Sequence, residues 1–91
     1  MKHAGHAALD RLEPFLRQLR GMEELREKSR GVFYRGGRAF LHFHEDPAGL
    51  FADVRFGVEF ERLEATSAAQ RTTLLRRIRA CLAAGRNPLA R

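Results

Sequence analysis

Two histidines and one aspartate are the residues of this chain whose types and spacing best suit chemistry. His42 and His44 stand two apart in LHFHED, and Asp53 follows in GLFADV. Residues two apart on a strand point to the same side. Both imidazoles would then share one face, where a carboxylate from the next strand can join them. Two imidazoles and a carboxylate are a donor set for a divalent transition metal, and three-ligand sites with an open position catalyse hydrolysis. Glu45 and Asp46 lie close in sequence, but Glu45 falls on the opposite face and no fourth ligand is evident. The expectation is therefore no bound metal and no cofactor, with both histidines on a solvated or partner-facing surface beside Asp53.

Other catalytic patterns are missing. There is no G-x-S-x-G, no phosphate-cradling glycine loop, no Cys/His nucleophile pair and no pair of opposed carboxylates. Cys81 is the single cysteine; it cannot form an internal disulfide and reads as a small core residue. The chain is expected to be a binding domain and not an enzyme.

The elements that must position these residues are legible from turn chemistry. Gly36-Gly37 between apolar-rich runs makes a two-residue hairpin turn. It sets Arg35 opposite Arg38, Tyr34 opposite Ala39, Phe33 opposite Phe40 and Val32 opposite Leu41. Asp46-Pro47-Ala48-Gly49 suits a type I turn. It sets His44 opposite Phe51, His42 opposite Asp53, Leu41 opposite Val54 and Phe40 opposite Arg55. Paired residues share a face. One face then holds Val32, Tyr34, Ala39, Leu41, Phe43, Ala52, Val54 and Phe56, and is the expected core. The other holds Phe33, Arg35, Arg38, Phe40, His42, His44, Phe51, Asp53 and Arg55. Val58-Glu59-Phe60-Glu61 alternates as a fourth, edge strand.

A helix is expected on each side of this meander. Asp10 with Glu13 fits a capping box, which puts Pro14 in the first turn, and Leu12, Phe15, Leu16 and Leu19 form one stripe up to a stop at Gly21. Met22 to Arg26 reads as a short turn and Glu27 to Gly31 as a charged loop. Ser67 with Gln70 caps a last helix, in which Leu74, Leu75, Ile78, Cys81 and Leu82 span an arc of about 120° before Gly85 and Pro88 end it. The predicted fold is a single α+β domain over residues 1–91, with an N-terminal helix, an antiparallel meander of three to four strands and a C-terminal helix. Both helices are expected on one sheet face, with frayed ends at residues 1–8 and 86–91.

The chain has 91 residues and a formal net charge of +6, and the excess sits in the last helix, since residues 67–91 contain arginines and no acid. Arg76, Arg77 and Arg79 are the nucleic-acid candidates there, although they ring the helix instead of forming one stripe. No stretch approaches the roughly 20 apolar residues of a membrane span, and Asp10 and Glu13 interrupt any signal-like start. A cytoplasmic protein without membrane contact is expected. On the outer face, Phe33, Phe40 and Phe51 would make an apolar patch among Arg35, Arg38, His42, His44 and Arg55. Self-association as a homodimer through that patch is the first expectation. Single-stranded nucleic acid stacking on its rings is the second, and a metal-dependent enzyme using His42, His44 and Asp53 the third. The Met22–Arg26 segment or the C-terminal tail could instead cover the patch.

The order helix, VFYRGGRAFLHFHEDPAGLFADV, helix resembles the YjbR/MmcQ-like family of small bacterial proteins, whose fold is related to that of frataxin-like proteins. There, a strand ends at a short glycine-containing turn, and a basic residue plus an aromatic, here Arg38 and Phe40, starts the next strand. The resemblance covers about residues 30–82. It implies an α+β fold, and a DNA-binding role of the kind that fold has suggested for members mostly of unknown function.

Overall fold

The computed structural model describes residues 1–86. The chain runs β1 (Lys2–His3), α1 (His6–Arg20), β2 (Leu25–Ser29), β3 (Val32–Arg35), β4 (Arg38–Asp46), β5 (Gly49–Val54), β6 (Glu61–Glu64) and α2 (Ala68–Arg86). Every strand pairing is antiparallel, and the sheet order is β2-β3-β4-β5-β6. The short β1 pairs with the end of β4, Lys2 opposite Glu45 and His3 opposite His44. The class is α+β, with six strands where three to four were expected. Among the described residues, no helix is long and apolar enough to cross a membrane.

The second hairpin has the register its turn dictates. His42 lies opposite Asp53, His44 opposite Phe51, Leu41 opposite Val54 and Asp46 opposite Gly49. The first hairpin departs from expectation. Gly36 and Gly37 take positive φ at the turn, and Tyr34–Ala39 and Arg35–Arg38 pair as expected. Phe33, however, lies opposite Leu41, not Phe40, with a register shift between Phe33 and Tyr34. The extra residue on β4 is Phe40. A bulge of this kind interrupts alternation, so the faces of β3 are exchanged relative to the simple count. Phe33 and Phe40 turn into the core at 0% and 2% exposure, while Val32 and Tyr34 stay half-buried.

Other expectations are corrected as well. The expected turn is present at Met22–Leu25, where the Leu25 N–H donates to the Met22 carbonyl at 3.0 Å, but it leads into a strand and Glu27–Gly31 is no simple loop: Leu25–Ser29 pairs with β3, and Leu25 and Met22 pack with the core. The segment therefore extends the sheet edge. The fourth meander strand is Glu61–Glu64, while Val58 and Phe60 are exposed in the connection before it. The N-terminal residues are not frayed, since β1 is paired and α1 begins at His6. Asp10 is no cap. Gly5 holds the N-cap position, and its N–H donates to Glu45 Oε2 at 2.6 Å. Pro14 consequently sits inside α1.

The close of the chain follows the sequence more directly. The Gln70 N–H donates to Ser67 Oγ at 3.0 Å, and Gln70 Oε1 accepts from the Ser67 N–H at 3.0 Å, a reciprocal capping box. Leu74, Leu75, Ile78 and Leu82 are buried, and Cys81 packs against the core. α2 continues through Gly85 to Arg86; Pro88 and the rest of the expected frayed tail lie outside the described residues. One apolar cluster joins the buried stripes of α1 and α2 to Phe33, Leu41, Phe43, Ala52 and Val54.

Ion pairs tie α1 to β2. Glu13 accepts from Arg20 and Arg30, and Arg20 also donates to Glu27. The Arg20 hydrogen bond, with Arg30 behind it, lowers the Glu13 pKa from 4.5 to about 2. A carboxyl depressed in the folded state contributes stability above its unfolded pKa, and that contribution is lost as pH falls through the folded one. Glu13→Gln should therefore be less stable than the parent near neutrality. The gap should close between pH 4.5 and about 2 in thermal melts followed by circular dichroism. A gap that stays constant down that range rejects the assignment.

Candidate functional site

His42, His44 and Asp53 come together on the sheet face opposite Leu41, Phe43, Ala52 and Val54. Strand alternation explains why: His42 and Asp53 are directly paired, and His44 is one alternation further along β4. His44 Nε2 lies 3.1 Å and His42 Nε2 3.7 Å from the same oxygen, Asp53 Oδ2. One ligand atom from each residue can be chosen so that all three lie within 4.8 Å of one another. Asp53 is buried, and both histidines are partly buried.

Arg62 completes the carboxylate's environment. It stands opposite Asp53 on β6 and donates from Nε to Oδ1 at 2.8 Å and from Nη2 to Oδ2 at 2.9 Å. This fork lowers the Asp53 pKa, against the opposing pull of burial. Burial is the main cause lowering the His42 pKa, partly opposed by Asp53. Asp53 is thus a carboxylate at neutral pH, and His42 is held toward its uncharged form.

Rings surround the cluster. His3 stacks on His44 with centroids 4.8 Å apart and leans toward His42 at 5.9 Å. His42 and His44 meet edge to face at 5.0 Å. Phe60 meets His42 edge to face at 5.0 Å, and the Arg55 guanidinium lies 4.4 Å over the Phe60 ring. At the other side of the sheet, Lys28 Nζ lies 5.1 Å over Tyr34.

The expected outer face is therefore only partly assembled. His42, His44, Phe51, Asp53 and Arg55 belong to it. Phe33 and Phe40 are core residues. Arg35 points to the helix side, with Nη1 3.5 Å from Cys81 Sγ. Arg38 is exposed beside the Gly36-Gly37 turn, away from the histidines. Of the last-helix candidates, Arg76 and Arg79 are exposed, whereas Arg77 forks onto Glu61 at 2.8 and 3.1 Å and covers Phe56. Arg62, His3 and Phe60 were missed. Placing the last strand three residues later pairs Arg62 with Asp53, and that shift was the signal that could have found it.

No family model matches the chain, and neither a curated protein nor a solved structure matches it. The fold and the site define an α+β domain with a histidine–aspartate–arginine cluster on its sheet.

Proposed function

We propose that this chain is a non-enzymatic binding domain that works through the sheet face bearing His42, His44 and Asp53, and that single-stranded nucleic acid is its partner. Both helices pack into the cluster that contains Leu41, and the rings of His3 and Phe60 lie against the half-buried histidines of the other face. The observation that carries the reading is the connected set of rings on it: Arg55 lies over Phe60, Phe60 meets His42, His42 meets His44, and His3 stacks on His44. Bases stack on aromatic faces without sequence preference, and neighbouring cations meet the phosphates. The one buried acid on this face, Asp53, is already neutralised by Arg62.

Self-association was the stronger expectation while three phenylalanines were placed on this face. With Phe33 and Phe40 in the core, the patch shrinks to Phe51 and Phe60 among charged groups, and an anionic ring-bearing partner suits it better.

Fluorescence anisotropy with a labelled single-stranded oligonucleotide tests the proposal. Saturable binding is expected at low ionic strength, with log K falling against log salt by about 0.7 per phosphate contact. Phe60→Ala should weaken binding by about 5- to 150-fold, the range of one lost stacking contact, whereas Arg76→Ala with Arg79→Ala should change it little. Absence of saturable binding sinks the reading, and so does a larger loss from the helix variant than from Phe60→Ala. A doubled mass by light scattering that Phe51→Asp halves, with no oligonucleotide bound, returns the face to self-association.

A further inference from the structure

We infer that His42, His44 and Asp53 form a binding site for a divalent transition-metal ion of the zinc type, with its fourth position left to water. The inference does not depend on the nucleic-acid reading. It rests on three observations.

The first is distance. Two ligand atoms about 2.1 Å from a tetrahedral ion are about 3.4 Å apart. The two imidazole-to-carboxylate distances, 3.1 and 3.7 Å, bracket that value. The whole donor set already lies within 4.8 Å.

The second is the supporting shell. Ligating carboxylates are commonly held by further hydrogen bonds that fix their orientation. Arg62 does this to Asp53 from the neighbouring strand through a two-point fork. Each carboxylate oxygen has two lone pairs, so Oδ2 can accept from Arg62 and still face the histidines. The cost is electrostatic, because a fixed cation beside the ion weakens binding. Micromolar affinity is therefore expected, weaker than a structural zinc site.

The third is placement. All three donors project from the paired centre of the sheet, β4 and β5, where backbone hydrogen bonds hold the register. His3 is outside the ligand set. It stacks on His44 at 4.8 Å and 29°, against one face of that ring.

The test uses the untagged full chain, stripped with a chelator and titrated separately with zinc and cobalt(II) salts. Saturable binding of one ion per chain is expected at micromolar zinc. The cobalt(II) form should show visible absorption of the intensity that marks four or five ligands. The double variant His42→Ala/His44→Ala should bind at least tenfold more weakly while keeping its circular dichroism spectrum. His44→Gln serves the same purpose if the double variant fails to fold. His3→Ala should reduce affinity by a smaller factor than either. Failure of zinc and cobalt(II) to saturate the folded wild-type chain overturns the inference. Binding that the histidine variants leave unchanged also overturns it, because the ion then sits elsewhere.

Discussion

Phe33→Ala is expected to destabilise the protein by about 3–5 kcal/mol, the range for removing a fully buried aromatic ring. Phe33 is 0% exposed and belongs to the cluster shared by the sheet and both helices. No wholesale collapse of β3 onto the gap is available, because the strand is paired on both sides, with Leu25, Arg26 and Glu27 on one and Ala39 and Leu41 on the other. Tyr34→Ala provides the contrast. Tyr34 is half-buried on the opposite side, under Lys28, and its loss should cost about 1 kcal/mol or somewhat more. Chemical denaturation of the two variants, with unchanged m-values, reads both numbers. The order matters more than either magnitude. Simple alternation from the Gly36-Gly37 turn puts Tyr34 inside and Phe33 outside, whereas the bulge at Phe40 puts Phe33 inside. A costlier Tyr34→Ala would reject the bulge.

That contrast also marks where the sequence stops being readable. The β4–β5 register followed from one turn, and with it the meeting of His42, His44 and Asp53, because alternation runs uninterrupted from Leu41 to Asp46. The β3–β4 turn was equally legible, but nothing in GRAFLH announces that Phe40 is the extra residue. A bulge is selected by which side chains the core can take, and two phenylalanines were available to fill it. The start of α1 was misread for a related reason. Its first turn is served by Glu45, forty residues away in sequence, so no local capping pattern exists to find. The Ser67–Gln70 box was legible because both partners are local. β2 resembled a charged loop because only Leu25 of its five residues is fully buried; pairing with β3 makes it a strand. His3 and Arg62 escaped notice in the same way, since each joins the site through a strand whose place is fixed by tertiary pairing.

Gly49→Ala should be the other costly substitution, by about 2–5 kcal/mol. Part of this is backbone strain. Gly49 has φ +143, a conformation L-residues rarely adopt, and holding a non-glycine residue in such a region costs about 1–3 kcal/mol. The rest is a collision. A Cβ at this position falls 2.2 Å from Thr66 Oγ1. That hydroxyl accepts from the Leu50 N–H at 2.9 Å and donates to the Leu50 carbonyl at 3.3 Å, and Leu50 itself is buried. Moving Thr66 aside therefore takes this partner from the Leu50 N–H, at about 1–3 kcal/mol, while the Leu50 carbonyl keeps the Ala65 N–H at 2.8 Å. It also disturbs the entry to α2, because the Thr66 N–H donates to Gln70 Oε1, the capping carbonyl. A double-mutant cycle separates the two parts. In a Thr66→Ala background the obstructing hydroxyl is already gone, so adding Gly49→Ala should cost only the strain. The two single costs should then exceed the double cost by at least about 1 kcal/mol, beyond the few tenths at which independent sites add. Additive costs would mean that Gly49 and Thr66 do not meet. The second hairpin, which aligns Asp53 with the histidines, would then owe its register to the Asp46-Pro47 turn alone.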